Sequence, residues 1–430
     1  MVEVKKIKLT ALERSWILYD IGNSAFILLV STLIPIYFNA LATTGGLNES
    51  LYLSYWGYAG SVSTLLVAVI GPICGTLADH RGFKKPIFMA CMLLGVLGCA
   101  AMGVTAGWLA FLVVFVLAKV GYSSSLVFYD AMLPEVTTDE RMDTVSSMGY
   151  AYGYIGSVIP FILCLLLVLF GDKIGIGAGT AMVVSFLITA VWWFVCTQPL
   201  LKRYRQTAFV EHGGNPVSST FRRLRDTFRE VRQQKHIFLY LLAFFFFIDG
   251  VYTIIDMATA YGTALGLDTT GLLLALLLTQ FVAFPCSIAF GRFSAKYDTG
   301  LLIKICILCY TGITLFAVFL VSQWQFWVLA VLVGMFQGGI QALSRSYLGK
   351  IIPAERSGEY FGLMDICGKG ASFLGTTLIA VVSQLTDGQP FHVFGLELQN
   401  ENIAVGTLVV IFAIGFVLFC KADRLNNTIS

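Results

Sequence analysis

Gly71-Pro72-Ile73-Cys74-Gly75-Thr76-Leu77-Ala78-Asp79-His80-Arg81-Gly82-Phe83-Lys84-Lys85-Pro86 is a short charged turn set between two long apolar runs. The run before it, residues 52–78, and the run after it, residues 86–106, each exceed the roughly twenty residues a helix needs to cross about 30 Å of hydrocarbon. A turn with an acid at Asp79, a glycine at Gly82 and the bases Arg81, Lys84 and Lys85 reads as the connection between two membrane-spanning helices.

Runs of similar length recur along the chain, at residues 15–40, 52–78, 86–106, 108–134, 147–171, 177–197, 237–262, 269–294, 302–322, 325–348, 360–386 and 402–420. With 57% hydrophobic and 12% charged residues in 430, the chain lacks the roughly one quarter of charged residues that a soluble globule carries. The expectation is an all-α polytopic membrane protein with about 12 transmembrane helices. Lys5, Lys6, Lys8 and Arg14 precede the first run without a short apolar core and small-residue cleavage site, so that run is expected to stay as a span rather than to be a signal peptide.

Lys and Arg fix the expected orientation. With the N-terminus inside, 25 of the 28 basic residues fall in the N-terminal segment, the even-to-odd loops, the central linker, the C-terminal tail or, for Arg292, Lys304 and Arg345, the inner ends of spans. Lys119 and Lys369 lie inside spans, and Lys173 alone is left outside. The positive-inside rule then places both termini in the cytoplasm. All ten cysteines fall within or beside apolar runs, which indicates no disulfide framework. Cys306 and Cys309 have a C-x-x-C spacing, but in an apolar helix without a nearby His they read as packing, and no metal site is expected.

Residues 198–236 form the one long polar interruption and divide the spans six and six. The implied organisation is an N-terminal bundle over residues 1–200, a basic linker over 201–236 and a C-terminal bundle over 237–430. In the linker, Phe221, Leu224, Phe228 and Val231 share a helical stripe among Arg222, Arg223, Arg225, Arg229 and Arg232. Such a helix is expected on the inner membrane surface, with anionic lipids as partners and no nucleic acid. Tyr129-Asp130-Ala131-Met132-Leu133-Pro134, followed by Arg141, Gly149 and Gly153, echoes Tyr347-Leu348-Gly349-Lys350-Ile351-Ile352-Pro353, followed by Glu355, Arg356 and Gly362. This repeat points to a duplicated six-helix unit.

On Gly75, Asp79, Arg81, Gly82, Lys84 and Lys85 the loop quoted first resembles the signature loop of the major facilitator superfamily. The resemblance implies the major facilitator fold, with two six-helix bundles and a substrate path between them. It also implies a gate at Gly75, Asp79, Arg81, Gly82 and Lys84, with Asp79 latching the bundles on the cytoplasmic side in the outward-facing state. Read alone, the loop is a tight positive-inside turn, which accounts for Lys84 and Lys85 but not for an acid at a helix end. Its second copy, Gly291-Arg292-Phe293-Ser294-Ala295-Lys296-Tyr297-Asp298, has no acid matching Asp79 and reads as degenerate.

A narrower likeness rests on Tyr19-Asp20-Ile21-Gly22-Asn23-Ser24-Ala25-Phe26, Phe128-Tyr129-Asp130-Ala131-Met132-Leu133-Pro134, Asp249-Gly250-Val251-Tyr252, the stretch from Gln337 to Ser346 and the stretch from Phe361 to Gly370. Together they resemble the vacuole effluxer family related to autophagy-related protein 22, whose fungal member is linked to amino-acid efflux from the vacuole. Short loops and compact length resemble its bacterial members, which implies a bacterial cytoplasmic membrane but no particular substrate.

Charges inside hydrocarbon are costly and usually face a cavity or a partner. Asp20, Asn23, Lys119, Asp249, Asp256, Asp365 and Lys369 are the candidates for the substrate and coupling cavity. Asp249 sits near the midplane of the seventh span, and Asp256 follows on the same face. A desolvated Asp without a fixed cation suits the binding and release of a proton, and Asp249, then Asp20, are the first choices. The competing reading of each is a permanently paired Asp that holds helices together. Asp365 and Lys369 have the spacing of a local ion pair. Lys119 with Asp249 could hold the carboxylate and ammonium of an amino acid. Asp130 and Arg345, near the cytoplasmic ends of their spans, read as gate residues.

No phosphate-binding Gly-Lys-Ser loop or catalytic constellation is present in the sequence, so neither an enzyme nor a cofactor is expected. The expected function is secondary active transport by alternating access, in a monomer. Its cargo would be amino acids or similar small polar metabolites, moved outward with a proton, or sodium, as coupling ion. A sugar, drug-like or lipid cargo on the same fold is one alternative, and a membrane receptor or scaffold without turnover is another.

Overall fold

The computed structural model describes residues 8–47, 49–211, 226–227, 229–386, 391–393, 396–398 and 400–429. The N-terminal half contains α1 (Ala11–Ser31), α2 (Leu33–Thr44), α3 (Glu49–Ala78), α4 (Lys84–Ala101), α5 (Trp108–Ala131), the short α6 (Leu133–Val136), α7 (Asp139–Phe170) and α8 (Ala178–Arg203). The C-terminal half contains α9 (Lys235–Ala264), α10 (Thr269–Phe293), α11 (Thr299–Val318), α12 (Gln323–Ile351), α13 (Ser357–Leu385), α14 (Asn400–Gly406) and α15 (Leu408–Ile429). Among the described residues 10 helices are long and apolar enough to cross a membrane, and α1 with α2 makes an eleventh span bent by 41°. With 29 residues, α13 has the length of a twelfth.

The bend has a local cause. Pro35 has no N–H to offer the carbonyl of Ser31, and its ring crowds that turn. The backbone departs from helix at Thr32, whose hydroxyl donates to the Leu28 carbonyl at 2.6 Å. A second departure from the expected pattern is a small antiparallel pair between α13 and α14, β1 (Phe391–Val393) with β2 (Leu396–Leu398), where only an outer loop was expected. The alternation in Phe391-His392-Val393 and Leu396-Glu397-Leu398 suits a pleated ribbon.

Each half has its own hydrophobic core. Trp16, Phe26, Phe38, Phe88, Phe111 and Trp193 anchor one, and Tyr240, Phe247, Ile303, Tyr310, Leu343 and Phe412 anchor the other. The halves meet where α3 packs on α13 and α7 packs on α10 and α12. The α3–α13 and α7–α10 contacts are equivalent under the sequence repeat, a second span of one half meeting a fifth span of the other.

Glycine makes the first of these contacts possible. A Cβ on Gly75 would strike the Gly358 carbonyl, and one on Gly362 would lie 3.0 Å from the Pro72 Cα. Gly149 and Gly153 serve a different surface, facing α1 at Asp20 and Ser24 within the N-terminal half. Gly368 is in ordinary contact, its closest neighbour being Phe244 at 3.6 Å.

The linker departs from the membrane-surface expectation over its described part. Val231 is 5% exposed in the C-terminal core, and Thr227 is fully buried with its hydroxyl donating to Glu359 at 2.8 Å. Val231, the one described residue of the apolar stripe, thus packs on protein, while Arg229 and Arg232 are exposed. Phe221, Arg222, Arg223, Leu224, Arg225 and Phe228 lie outside the described residues.

Over-packing a close helix crossing costs about 1–3 kcal/mol. Gly75→Ala is expected to lower the melting temperature of the purified protein, whereas Gly368→Ala leaves it unchanged or raised; thermal unfolding of the two variants in detergent checks this.

Candidate functional site

Charge crosses between the halves at the end where the α3–α4 loop, the termini and the linker lie. Asp79 follows the last residue of α3 and is fully buried. Its Oδ1 accepts the Gly358 N–H at 2.8 Å and its Oδ2 the Glu359 N–H at 3.0 Å. Those amides belong to the first turn of α13, where N–H groups have no partner within the helix and the helix dipole favours an anion. Lys84, also fully buried, places Nζ 2.6 Å from Glu135 Oε1, 2.8 Å from Ser357 Oγ and 3.8 Å from Asp79 Oδ1. Burial pushes the Asp79 carboxyl up to about 7, with Lys84 drawing it down and Glu359 adding repulsion. Gly82 holds a φ of +80° that lets the loop turn, and Arg81 lies over the Phe209 ring at 5.2 Å.

The linker ends are fastened to the same place. Glu135 Oε2 accepts the Thr207 and Ala208 amides at 2.6 and 3.1 Å, and the Val210 N–H donates to the Asp79 carbonyl at 2.8 Å. On the other side Arg356 pairs with Glu230 at 2.5 Å and with Glu359 at 2.9 Å.

Deeper in the protein, Arg345 of α12 enters the N-terminal half. Its Nη1 is 2.9 Å from Asp130 Oδ1 and 3.7 Å from Asp20 Oδ2. Nε and Nη2 donate to the hydroxyl and carbonyl of Ser146 at 2.9 and 3.0 Å. The guanidinium also lies 4.6 Å from the Trp16 ring and 4.5 Å from the Tyr150 ring. Tyr129 donates to Asp20 Oδ2 at 3.0 Å, and Asn23 reaches Oδ1 at 3.4 Å. Asp20 and Asn23, expected in the cavity, therefore sit in one cage with Asp130 and Arg345, expected at the gate.

Asp249 lies between α9 and α13 with no exposed surface. Its Oδ1 accepts the Gly375 N–H at 3.0 Å. Its Oδ2 and the Thr253 hydroxyl, one turn later, are buried without a hydrogen-bond partner among the described residues. Both oxygens converge on Gly375, where a Cβ would collide with the Thr253 hydroxyl and stand 2.9 Å from Asp249 Oδ2. Asp256 is exposed and lies in the field of Lys119, so Lys119 is brought to Asp256 rather than to Asp249. Lys119 itself is half-buried, 5.9 Å over the Phe115 ring. Asp365 of α13 faces α3, its Oδ2 3.6 Å from where a Cβ on Gly71 would stand. Tyr252 lies in the fields of Asp130, Asp365, Asp256 and Arg345, which links these groups across the halves. The Lys369 side chain lies outside the described residues.

Glu135, Asp143 and Lys350 were not singled out as site residues from the sequence. The residue before α7, Thr138, and the acids Asp139 and Glu140 mark a helix start, but nothing in the spacing says which acid of that region turns toward the other half. Among the described residues no group of His, Cys, Asp and Glu could hold a metal ion.

Two halves with separate cores, each of long apolar helices and joined by charges at one end, define a major facilitator transporter. Solved structures agree on the fold. The FucP transporter in its outward conformation superposes with a TM-score of 0.69 at 14% identity, over 96% of this chain and 97% of that one. The human organic anion transporter MFSD10 gives 0.67 at 15%, over 95% and 98%. The chain belongs to the family described as Vacuole effluxer Atg22 like, whose profile matches residues 48–423. Among its relatives, the uncharacterized MFS-type transporter YxiO of Bacillus subtilis strain 168 is 38% identical over 426 residues, 98% of this chain and 97% of that protein. Autophagy-related protein 22-1 of Penicillium rubens is 27% identical over 283 residues, which cover 59% of this chain and 47% of that longer protein. The protein is a transporter and not an enzyme.

Asp79 holds a proton more tightly when buried in this contact between the halves than when released to water, where a carboxyl has its ordinary pKa of about 3.9. The closed arrangement is therefore favoured below that value and loses this contribution as the pH rises through about 7. Fluorescence energy transfer across the linker end is expected to report more of the closed form at pH 6 than at pH 8, and Asp79→Asn is expected to remove that difference.

Proposed function

We propose that the protein is a proton-coupled secondary transporter that exports amino acids or similar small polar metabolites by alternating access. The observation that carries this reading is the polar, cross-half character of the contacts that close the linker end. Asp79 is held by α13 and Arg345 by Asp20 and Asp130, while each half keeps a complete apolar core of its own. Such halves separate by exchanging a few hydrogen bonds without exposing core. The positive-inside bias puts this end in the cytoplasm, so the closed arrangement is outward-facing, in a bacterial cytoplasmic membrane.

Asp249 is the proton site in this reading. A proton on Oδ2 turns an acceptor into a donor and lets the carboxyl bond the neighbouring Thr253 hydroxyl, which removes the cost of two buried oxygens without a partner. The cargo reading rests on Lys119 and Asp256, charges of opposite sign close enough to interact and suited to a carboxylate and an ammonium. The family description as an effluxer supports the outward direction.

The test is transport of a labelled neutral amino-acid mixture by purified protein in liposomes, with and without an imposed pH gradient. Gradient-driven accumulation is expected for the wild type, and Asp249→Asn is expected to lose accumulation while retaining exchange of labelled for unlabelled substrate. Absence of flux from folded wild-type protein, or undiminished accumulation by the variant, contradicts the proposal.

A further inference from the structure

The second copy of the α3–α4 loop has Ala295 where the first has Asp79, yet the contact it makes with α7 is closed. Thr144 donates to the Gly291 carbonyl at 2.9 Å, and a Cβ on Gly291 would lie 2.9 Å from the Ser147 Cβ. One position before Thr144, Asp143 of the N-terminal half points into the C-terminal half and is 4% exposed. Its Oδ2 is 2.6 Å from Lys350 Nζ and accepts the Thr299 hydroxyl at 2.6 Å, and its Oδ1 accepts the Ser346 hydroxyl. Lys350 also donates to the Thr299 hydroxyl at 3.0 Å. All three partners belong to the C-terminal half, Thr299 at the start of α11 and Ser346 and Lys350 in the last turns of α12.

We propose that Asp143 is a second latch acid, standing on the opposite side of the interface from the position the repeat predicts. In the α3–α13 contact the loop supplies the carboxylate and the docking helix supplies the donors. In the α7–α10 contact the docking helix supplies the carboxylate, and the C-terminal half answers with Lys350 and two hydroxyls. The loss of acid at residue 295 is thereby made good by a different residue, and the closed state is held symmetrically by two latches of opposite polarity. The chemistry of the two differs in one useful respect. The donors that reach Asp79 from the other half are main-chain amides, whereas the cation that reaches Asp143 from the other half is the Lys350 side chain and can trade places with it. Asp143 acts as a positioning residue for the gate. This rests on the alternating-access reading and on neither cargo nor coupling ion.

The test is hydrogen–deuterium exchange of the full chain in lipid nanodiscs, which needs no substrate. Asp143→Lys and Lys350→Asp are compared with the double reversal. Each single change leaves a buried charge facing its like, and exchange is expected to rise roughly tenfold or more both at residues 142–150 and at the first latch, residues 357–362, because the two latches open together. The double reversal is expected to return both regions to the wild-type rate. A double variant that exchanges like the singles, or a rise that never reaches residues 357–362, overturns the proposal and leaves Asp143 as a local brace. If a reversal fails to fold, Asp143→Asn and Lys350→Met replace it. Each alone is expected to open both regions, and together they are expected to open them less than either does alone; equal or greater opening by the pair overturns the proposal. Failure here leaves the flux experiment in liposomes unaffected, so the two readings fail separately.

Discussion

A guanidinium buried among apolar helices must be paired, and the closed arrangement of the protein depends on that requirement at Arg345. The side chain is 3% exposed and belongs to the C-terminal half, but the carboxylates, hydroxyl and carbonyl around it belong to the N-terminal half. Removing one partner from a buried pair costs roughly 3–5 kcal/mol, because the other charge is left in low dielectric without compensation. Neither half can therefore move away from the other at this end unless Arg345, Asp20 and Asp130 find water, a proton or a substrate group. A rearrangement with such a condition attached is one that a bound ion or cargo can govern.

The rest of the interface follows the same division of labour. Apolar burial is spent within each half, and what joins the halves is a small set of oriented polar contacts with glycine at the closest approach. Gly75 and Gly358 bring α3 and α13 near enough for Asp79 to reach the free amides of α13. The linker fastens its two ends to Glu135 on one side and to Arg356 and Glu359 on the other, so it attaches to the residues that flank the contact of Asp79 with α13. Charge pairs in such a setting need not add net stability over an apolar packing of the same volume. Their value lies in being either fully made or fully lost, which gives two discrete arrangements instead of a continuum.

The membrane-spanning, all-helical character was legible because hydrocarbon imposes a length and a composition that the sequence cannot disguise, and the superfamily was legible through the resemblance of one loop. The signature loop was legible for a similar reason, since an acid at a helix end among bases has few structural uses. Partners were far less legible. Arg345 in an apolar run demanded acids, but Asp20, Asp130, Asp249, Asp256 and Asp365 all offered themselves, and only helix packing selects the first two. Asp143 and Lys350 gave no signal in the sequence because their pairing is created by the other half of the molecule. The bend at Thr32 could be read from Pro35, whereas the burial of Val231 at the end of the basic linker could not, because an apolar residue among arginines fits a membrane surface and a protein surface equally well.

The most direct measurement is a distance across the linker end by pulsed electron–electron double resonance. Spin labels would be carried on non-natural amino acids at the exposed positions Arg81 and Lys296, in lipid nanodiscs, with and without Arg345→Met. If buried charge pairing holds the halves together, the unsubstituted protein gives a predominantly short distance, and the Arg345→Met protein gains a distinct longer population. An unchanged distribution in folded Arg345→Met protein would contradict the account.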